Sequence, residues 1–389
     1  MVQMIKRMDE IRRNVIRRAL GGVCCLSVML LSSAVVQAGD WQVSVVPGSV
    51  GGKYSSLQMD KLGNAHVSYF DESQGAVQYS FWDHLLDKWF NTTLGRCGAF
   101  TSLVLDLKQR PHISCPGGGS GSVMHFYWDG SSWKTQPVEL HAVVINYFTS
   151  IIVDSNDYPS ISYYEENGAG ENHLRLRVVT WNGRLWEART VDSDLGSGKF
   201  NSMAIDSKGN PQIAYGNVEY MNASLRFARW NGTGWSAEIL EGKGVPGTSM
   251  WSVALVLGKD DVPHIAYTDQ RNQIIKYATK RDGKWVLEPV DSVNGVAYPD
   301  RNGIALDEQG NPYLSYYDRG RGLLKVAHKK DDKWVAEVVD ENSAGFTSSL
   351  QISNGNIWVT YTGEFGQQLK VARRPLNLVS RPTKSVEGR

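Results

Sequence analysis

Residues 201–216 read NSMAIDSKGNPQIAYG and residues 224–240 read SLRFARWNGTGWSAEIL, and together they form the clearest copy of a repeated pattern. A tryptophan of this pattern returns seven times along the chain, at intervals of 44 to 53 residues. The seven positions are Trp41, Trp89, Trp133, Trp186, Trp235, Trp285 and Trp334. Repeats of this length are typical of solenoids and propellers, in which one unit cannot bury its own apolar face.

The copy at 201–240 contains four short strands. Ser202–Asp206 is apolar and is followed by a Ser-Lys-Gly-Asn turn, after which Pro211 begins a second strand. Leu225–Trp230 and Trp235–Leu240 form the third and fourth strands, and the Asn-Gly-Thr-Gly between them is typical of a hairpin. Four strands per unit, with no convincing helical periodicity, predict the blade of a β-propeller.

The two ends of the repeat predict how the ring closes. The seventh unit, at 348–373, has three strands and no tryptophan strand, whereas Trp41–Val46 is a tryptophan strand without a unit. Pairing the two would remove open sheet edges, which otherwise promote aggregation. The sequence therefore predicts an all-β fold, a single seven-bladed β-propeller over residues 39–373 that is closed by its N-terminal strand.

Residues 1–38 have the features of a secretory signal peptide. Arg12, Arg13, Arg17 and Arg18 precede the apolar run Ala19–Val36, and Val36-Gln37-Ala38 is a small-residue cleavage site. The run is near the minimum length for a membrane span, so an uncleaved anchor is the alternative. We expect cleavage after Ala38, a periplasmic or extracellular location, and a disordered tail at 374–389.

Charge and cysteine content narrow the range of partners. Segment 1–38 holds six of the 41 Lys and Arg residues and two of the 40 Asp and Glu residues, so its removal leaves a net charge of −3. This balance argues against nucleic acid or a membrane as a partner after cleavage. The remaining cysteines, Cys97 and Cys115, lack the spacing of a zinc or haem site, and export would favour a disulfide between them. We expect no metal and no cofactor.

Strand order separates two faces of the predicted ring. The top face carries the loop before each first strand and the loop after each second strand, and the bottom face carries the other turns. On the top, the second strand ends with a polar residue in five units, which predicts either an acidic ligand ring or, as we favour, residues that begin turns. These residues are Asp71, Glu165, Asn217, Asp269 and Asp318.

Aromatic residues followed by small polar residues precede the first strand in five units. They are Tyr54, Phe100, Phe148, Phe200 and Phe346. The rings predict either a surface that stacks on sugars or an upper layer of packing between blades, and packing is the favoured interpretation.

The sixth unit breaks this pattern, because it reads Pro-Asp-Arg-Asn at 299–302. Neighbouring top loops carry further charges, and guanidinium groups bind carboxylates in a bidentate manner. We therefore predict a site for an acidic sugar or acidic peptide, with an ion-pair network between loops as the alternative. The predicted ligand-binding residues are Asp269, Arg271, Asp300, Arg301, Asp318, Arg319 and Arg321.

Three histidines follow the start of the second strand, namely His66, His112 and His264. They belong to different blades and therefore do not converge on one metal ion, so we expect structural roles for them. No recognisable catalytic motif is present in the chain.

The repeat resembles the D-x-x-G-N-P-x-I-x-Y-Y-D repeats of secreted bacterial proteins, which implies a β-propeller over residues 41–373. It is similar, more distantly, to sialidase-type and lectin-type propellers, although the S-x-D-x-G-x-T-W box of sialidases is absent. The resemblance also implies that ligands meet the top loops near the central channel. The leading expectation is a non-catalytic module that binds a glycan or a cell-envelope protein. The alternatives are a glycoside hydrolase or polysaccharide lyase with acids drawn from Asp269, Asp300 and Asp318, and a structural scaffold of a cell-surface assembly.

Overall fold

The computed structural model describes residues 37–38, 40–117, 122–139, 148–166, 174–219, 223–242, 250–294, 301–341, 347–363 and 367–376. In these ranges the chain forms seven antiparallel sheets, of which six have four strands in chain order and the seventh joins two N-terminal strands to the last three strands. The first strands of successive blades pack side by side, and the first strand of blade 7 packs on that of blade 1. The predicted seven-bladed β-propeller is therefore confirmed.

The strands follow the repeat. The N-terminal strands are β1 (Gln37–Ala38) and β2 (Trp41–Val45). Blade 1 contains β3 (Lys53–Met59), β4 (Ala65–Asp71), β5 (Ala76–Asp83) and β6 (Lys88–Arg96). Blade 2 contains β7 (Ser102–Leu105), β8 (Pro111–Pro116), β9 (Val123–Trp128) and β10 (Trp133–Glu139). Blade 3 contains β11 (Thr149–Val153), β12 (Pro159–Glu166), β13 (Leu174–Trp181) and β14 (Trp186–Asp192).

The second half of the ring repeats this arrangement. Blade 4 contains β15 (Ser197–Ile205), β16 (Pro211–Asn217), β17 (Ser224–Trp230) and β18 (Trp235–Glu241). Blade 5 contains β19 (Met250–Leu257), β20 (Pro263–Asp269), β21 (Ile274–Arg281) and β22 (Lys284–Ser292), with a 3₁₀ turn at Lys259–Asp261. Blade 6 contains β23 (Gly303–Leu306), β24 (Pro312–Asp318), β25 (Leu323–Lys330) and β26 (Lys333–Asp340). Blade 7 contains β27 (Ser348–Ser353), β28 (Asn356–Thr362) and β29 (Leu369–Pro375).

Ring closure occurs as the ends of the repeat predict. β2 pairs antiparallel with β29, with Val43 opposite Ala372, and so supplies the fourth strand of blade 7. Trp41 is almost fully buried at this junction, and the guanidinium of Arg374 lies 5.1 Å from its ring centroid. The N-terminal strand therefore contributes both ladder hydrogen bonds and a large buried side chain to the last blade.

The domain limits differ slightly from the expected ones. β29 runs to Pro375, and Arg374 is buried with an ion pair to Glu337, so the last strand extends two residues into the predicted tail. At the other end, β1 pairs with β2 through Gln37 and Ala38, the last residues of the predicted signal peptide. Residues 1–36 and 377–389 lie outside the described part of the chain, so cleavage and tail disorder stay predictions.

The core consists of apolar layers between neighbouring blades. Successive residues of a second strand face the two neighbouring blades in turn, so Ile213 and Tyr215 of β16 share one face, and both have no exposed surface. One such cluster joins Ile152 and Leu176 of blade 3 to these residues of blade 4. Because each blade completes the core of its neighbour, the ring needs every blade to be in place.

In the described part of the chain, no helix has the length and apolar character needed to cross a membrane.

Candidate functional site at the channel mouth

One position in each blade lies at the upper rim of the central channel. In every blade, one residue of the first strand pairs with the residue at the middle of the second strand, and the rim position lies two residues before it. The pairs Ser56–Ser68 in blade 1 and Gly303–Ser315 in blade 6 fix this register. The rim position is held by Tyr54, Phe100, Phe148, Phe200, Ser252, Arg301 and Thr347. This register corrects the expected alignment of blade 7, because Thr347 takes the rim position while Phe346 lies outside the described residues.

The rim residues of the first five blades share an unusual backbone conformation. Their φ angles are all positive, from 54° at Phe200 to 68° at Phe100. A bulky side chain rarely occupies this left-handed region, so the surrounding structure must impose the conformation. In blades 6 and 7 the rim residues instead join in a parallel bridge between Arg301 and Thr347.

Four rim aromatics form a continuous stack along one side of the channel. The ring centroids of Tyr54 and Phe100 are 4.0 Å apart, those of Phe100 and Phe148 4.2 Å, and those of Phe148 and Phe200 4.3 Å. The three phenylalanines are buried. Packing between blades, the favoured sequence interpretation, therefore describes these contacts.

The small polar residues after the aromatics connect neighbouring blades. The hydroxyl of Thr149 donates to the carbonyl of Phe100 at 3.2 Å, which joins blade 3 to blade 2. The serine that follows accepts a backbone amide of the next blade, and this contact recurs in blades 1 to 4 and in blade 7, where Ser349 accepts from Leu57 at 3.1 Å. The amide-to-hydroxyl distances are 3.0 Å for Leu103 to Ser56, 3.2 Å for Ile151 to Ser102, 2.9 Å for Met203 to Ser150 and 3.0 Å for Leu255 to Ser202.

Blades 5 and 6 lack this serine. Ala254 and Gly303 take its place, and a Cβ atom on Gly303 would lie 2.5 Å from the hydroxyl of Ser315 and 2.7 Å from the amide of Leu350. The repeated hydrogen bond is thus given up in the sector that also replaces the aromatic rim residue.

Arg301 reaches across the channel. Its Nη1 donates to the carbonyl oxygen of Thr101 at 2.7 Å, and Thr101 belongs to blade 2 on the other side of the ring. No carboxylate among the described residues lies within 4.0 Å of this guanidinium. Burial disfavours the charged form and lowers the pKa of Arg301 to about 10, so the group stays cationic at neutral pH.

A cavity opens beside this guanidinium. Its empty volume is about 300 Å³ when the open solvent at its mouth is included, and it is lined by Phe100, Phe148, Thr149, Phe200, Asn201, Ser252, Val253 and Arg301. The lining therefore combines aromatic edges, hydroxyl and amide groups, and one cation. Such a combination suits a ligand with an apolar ring face and an anionic group.

The other predicted site residues occupy the top loops of blades 5 and 6. Asp318 is fully buried, accepts hydrogen bonds from the backbone of Asn294 at 3.0 Å and from Arg321 at 3.2 Å, and forms an ion pair with Lys325 at 3.2 Å. Asp269 accepts from the amide nitrogen of the Asn272 side chain at 2.8 Å. These contacts match the alternative of an internal network at Asp318 and Arg321.

Three further residues of the predicted ligand-binding set have no described contact with the channel cavity. Arg271 and Arg319 are exposed in the loops after β20 and β24, and Asp300 lies outside the described residues. The structure therefore places Arg301 in the channel and the other described arginines of the set on the loops around it.

Two of the other polar residues that end second strands serve their own turns, whereas Glu165 pairs with Arg175 and Arg177 of β13. Asp71 accepts from the backbone of Ser73 at 2.9 Å, and Asn217 accepts from the backbone of Glu219 at 3.0 Å. These contacts agree with the favoured interpretation that such residues begin turns.

A feature that the sequence did not reveal lies deeper between blades 3 to 7. A second-strand tyrosine donates to a carboxylate at the end of the preceding blade, and a basic residue of the third strand pairs with the same carboxylate. We call each set a junction triad. The triads are Tyr215–Asp192–Arg226, Tyr267–Glu241–Lys276, Tyr316–Asp291–Lys325 and Tyr361–Asp340–Lys370.

The triads are better suited to stability than to catalysis. Burial and the adjacent carboxylate raise the pKa of Tyr215, and the same causes raise that of Tyr316. Neither phenol can ionise near neutral pH to act as a base. The combination of a tyrosine, an acidic residue and a basic residue recurs at four junctions. It becomes visible in the sequence only when each blade is aligned with the end of the preceding blade.

The junction between blades 1 and 2 uses the cysteines instead. Cys115 occupies the tyrosine position of β8, and Cys97 follows the last strand of blade 1. The two sulfur atoms lie at disulfide distance, with the Cα atoms 6.2 Å apart, in agreement with the predicted pair.

The three repeated histidines lie within their own blades. His66 contacts the hydroxyl of Tyr79 at 2.7 Å, and His112 contacts His125 at 3.0 Å. Within the described ranges, no group of three or more potential metal ligands is present.

Comparisons with known proteins support the propeller fold and give no information on the candidate site. The sequence matches no protein-family profile and no curated protein. Many solved structures are similar to this chain. One is a triple arginine mutant of AofleA from Arthrobotrys oligospora, which has 14% sequence identity and a TM-score of 0.52 and covers 79% of this chain and 92% of that chain. A lectin from Aleuria aurantia in complex with α-methyl-L-fucoside has 15% identity and a TM-score of 0.52 over 75% of this chain and 98% of that chain. The polysaccharide lyase Uly1 has 9% identity and a TM-score of 0.52 over 86% and 91%. At these identities the likeness establishes a shared propeller fold.

Proposed function

We propose that this protein is an exported, non-catalytic module that binds an acidic glycan at the channel mouth, with Arg301 as the receptor of a carboxylate group. The observation that carries the proposal is the guanidinium of Arg301, which lies in an aromatic-lined cavity with a backbone carbonyl as its partner. A partly buried cation without a carboxylate partner is costly to the fold, and a bound anion would offset that cost.

The lining favours a sugar acid over a small inorganic anion. Aromatic side chains such as Phe148 and Phe200 offer apolar contact to a sugar ring, while Thr149 and Asn201 offer polar groups near the same cavity. The propeller neighbours include a lectin in complex with a fucoside and a polysaccharide lyase, which supports a carbohydrate ligand at a coarse level.

The test compares binding of oligouronates with binding of neutral oligosaccharides of equal length by calorimetry. Substituting Arg301→Ala is expected to weaken oligouronate binding about ten-fold or more, which corresponds to the roughly 1.5–3 kcal/mol of a charge-assisted hydrogen bond. Arg301→Lys should restore part of the affinity, because an ammonium keeps the charge but lacks the bidentate geometry. The melting temperature should change little, since the substitution also removes a desolvated charge.

Arg184→Ala is the matched control, because Arg184 is exposed in the bottom hairpin of blade 3 and its loss changes the net charge equally. Equal loss of binding in both variants would indicate a nonspecific charge effect. Unfolding of Arg301→Ala would assign the residue to the structure of the ring. Release of shortened saccharides during the assay would show an enzyme and overturn the non-catalytic proposal.

A further inference from the structure

Blade 5 leaves a gap in the aromatic rim of the channel. Ser252 occupies the rim position with a φ of 57°, which lies within the range of 54° to 68° that the aromatic rim residues of blades 1 to 4 cover. Phe200, the last ring of the stack, meets Trp251 at a centroid distance of 5.9 Å, and Trp251 does not line the cavity. Blade 5 therefore keeps the backbone conformation of the repeat and omits its rim ring.

The omitted ring leaves room for the cavity. Rim rings on neighbouring blades have their centroids 4.0 to 4.3 Å apart, so a phenyl ring at position 252 would lie about 4 Å beyond Phe200, on the side of Arg301. That space is the part of the cavity that Ser252 and Arg301 line. Val253 replaces the small polar residue of the repeat, and its side chain has no hydrogen-bond donor. The wall at blade 5 is therefore small and apolar.

Walls enclose the cavity around its whole circumference. Its lining residues come from five successive blades, from blade 2 to blade 6. The hydrogen bond from Arg301 of blade 6 to Thr101 of blade 2, at 2.7 Å, spans the remaining side. Most of the lining side chains are nearly buried, with Ser252 at 2% and Phe148 at 6% exposure. These walls leave the channel axis as the way in for a ligand group.

We infer that Ser252 sets the size of the ligand at the channel mouth, and that the ligand enters end-on, with a terminal sugar residue and its carboxylate leading. This inference rests on the proposed function, because it takes Arg301 as the receptor of the carboxylate. The bond to Thr101 uses one of the guanidinium N–H groups, so others are left for the carboxylate. An internal residue of a glycan continues in two directions, and the walls of the cavity obstruct both.

The first experiment substitutes Ser252 and measures oligouronate binding by calorimetry. Ser252→Phe should fold with nearly the melting temperature of the parent, because Phe100, Phe148 and Phe200 occupy the same rim position with positive φ. The added ring should fill the cavity and lower the affinity about ten-fold or more. Ser252→Ala is the matched control, since it removes the hydroxyl without adding bulk, and it should bind as the parent does. Equal loss of binding in Ser252→Ala would overturn the inference, because the hydroxyl rather than the space would then matter.

The second experiment uses the parent alone and therefore holds even if Ser252→Phe unfolds. Short and long oligouronates are titrated with excess protein, and the mass of the complexes is measured by light scattering. End-on binding predicts that the number of proteins per chain stays constant as the chain lengthens, whereas binding to internal residues predicts that it rises.

A rising number of bound proteins, or full affinity in a folded Ser252→Phe, would overturn the inference. Either result would leave the proposed function intact as long as Arg301→Ala still loses binding. A parent that binds no oligouronate would refute the inference and the proposed function together.

Discussion

The junction between blades 1 and 2 and the junctions from blade 3 to blade 7 solve the same problem with different chemistry. At the first, Cys97 of one blade and Cys115 of the next lie at disulfide distance. At the others, a tyrosine in the position of Cys115 donates to a carboxylate of the preceding blade, as Tyr215 does to Asp192 at 2.7 Å. The repeat therefore specifies a contact between blades at this position but not its chemical nature.

The difference has consequences for how each junction responds to its surroundings. A disulfide is insensitive to pH and sensitive to reductants, whereas a buried ion pair depends on the ionisation of its acid. Both contrast with blade 7 itself, in which the two chain ends meet and β2 completes the sheet beside β29.

The largest effect is expected at the junction of the chain ends. Deleting residues 39–46 removes β2 and with it the buried side chains of Trp41 and Val46. Loss of a buried tryptophan alone costs about 3–5 kcal/mol, and the deletion also exposes the edge of β29. We expect aggregation or a large fall in melting temperature, measured by calorimetry and light scattering. A truncated protein that melts like its parent would contradict closure by β2.

The next effect should come from the triad between blades 3 and 4. Arg226 is buried and pairs with Asp192 at 2.8 Å and with Asp194 at 2.7 Å. Asp192 is buried, but the side chain of Asp194 is 63% exposed. Asp192→Ala should therefore cost about 3–5 kcal/mol, because it leaves the buried phenol of Tyr215 without its acceptor and the buried charge of Arg226 with only an exposed carboxylate. Asp194→Ala, which removes an exposed partner of the same arginine, should cost less than about 1 kcal/mol.

The pH dependence of these variants sharpens the test. Hydrogen bonds and Arg226 hold the pKa of Asp192 below its usual value of 3.8, against the opposing effect of burial. The stability that this carboxylate contributes is present above pH 3.8 and is lost as the pH falls through the lower folded-state value. The difference between parent and Asp192→Ala in urea denaturation should accordingly shrink in acid. Equal costs for the two aspartates would show that burial does not distinguish them.

Breaking the disulfide junction between blades 1 and 2 should lower the free energy of unfolding somewhat less. Bonding Cys97 to Cys115 closes a loop with a sequence separation of 18 residues, which is worth about 3 kcal/mol on the chain-entropy estimate. Cys97→Ser with Cys115→Ser should lower stability by that amount, and dithiothreitol should lower the stability of the parent but not of the variant. Two free thiols in the denatured, unreduced exported protein would refute the bridge.

The fold could be predicted from the sequence because the repeat is strong and the orphan strand at Trp41 has one partner available. Cys115 was recognisable because a cysteine stands where other units have tyrosine. The candidate site was harder to predict from the sequence. Arg301 could be singled out because it breaks the aromatic pattern, but its reach to Thr101 depends on the diameter of the ring, which no local pattern encodes. The triads were missed because their carboxylates lie at the end of the fourth strand of a different unit.

The smallest effect is expected at the intervening junction, between blades 2 and 3, where the ring of His125 meets Trp186 edge-on at a centroid distance of 5.6 Å. Burial lowers the pKa of His125 well below its usual value of 6.5 and also lowers that of His112, despite Asp106 at 3.5 Å from the latter. Both rings are therefore favoured in the neutral form, and stability should fall as the pH drops below 6.5, by about 1.4 kcal/mol per pH unit for each proton taken up on unfolding. Blades 1 and 5 have tyrosine at the position of His125, so His125→Tyr should keep the contact with His112 and remove one titrating group. We expect parent and variant to have equal free energies of unfolding at pH 8, and the variant to lose stability less steeply between about pH 6.5 and 5. Parallel curves of stability against pH for parent and variant would show that the buried histidine pair is not what makes this junction sensitive to acid.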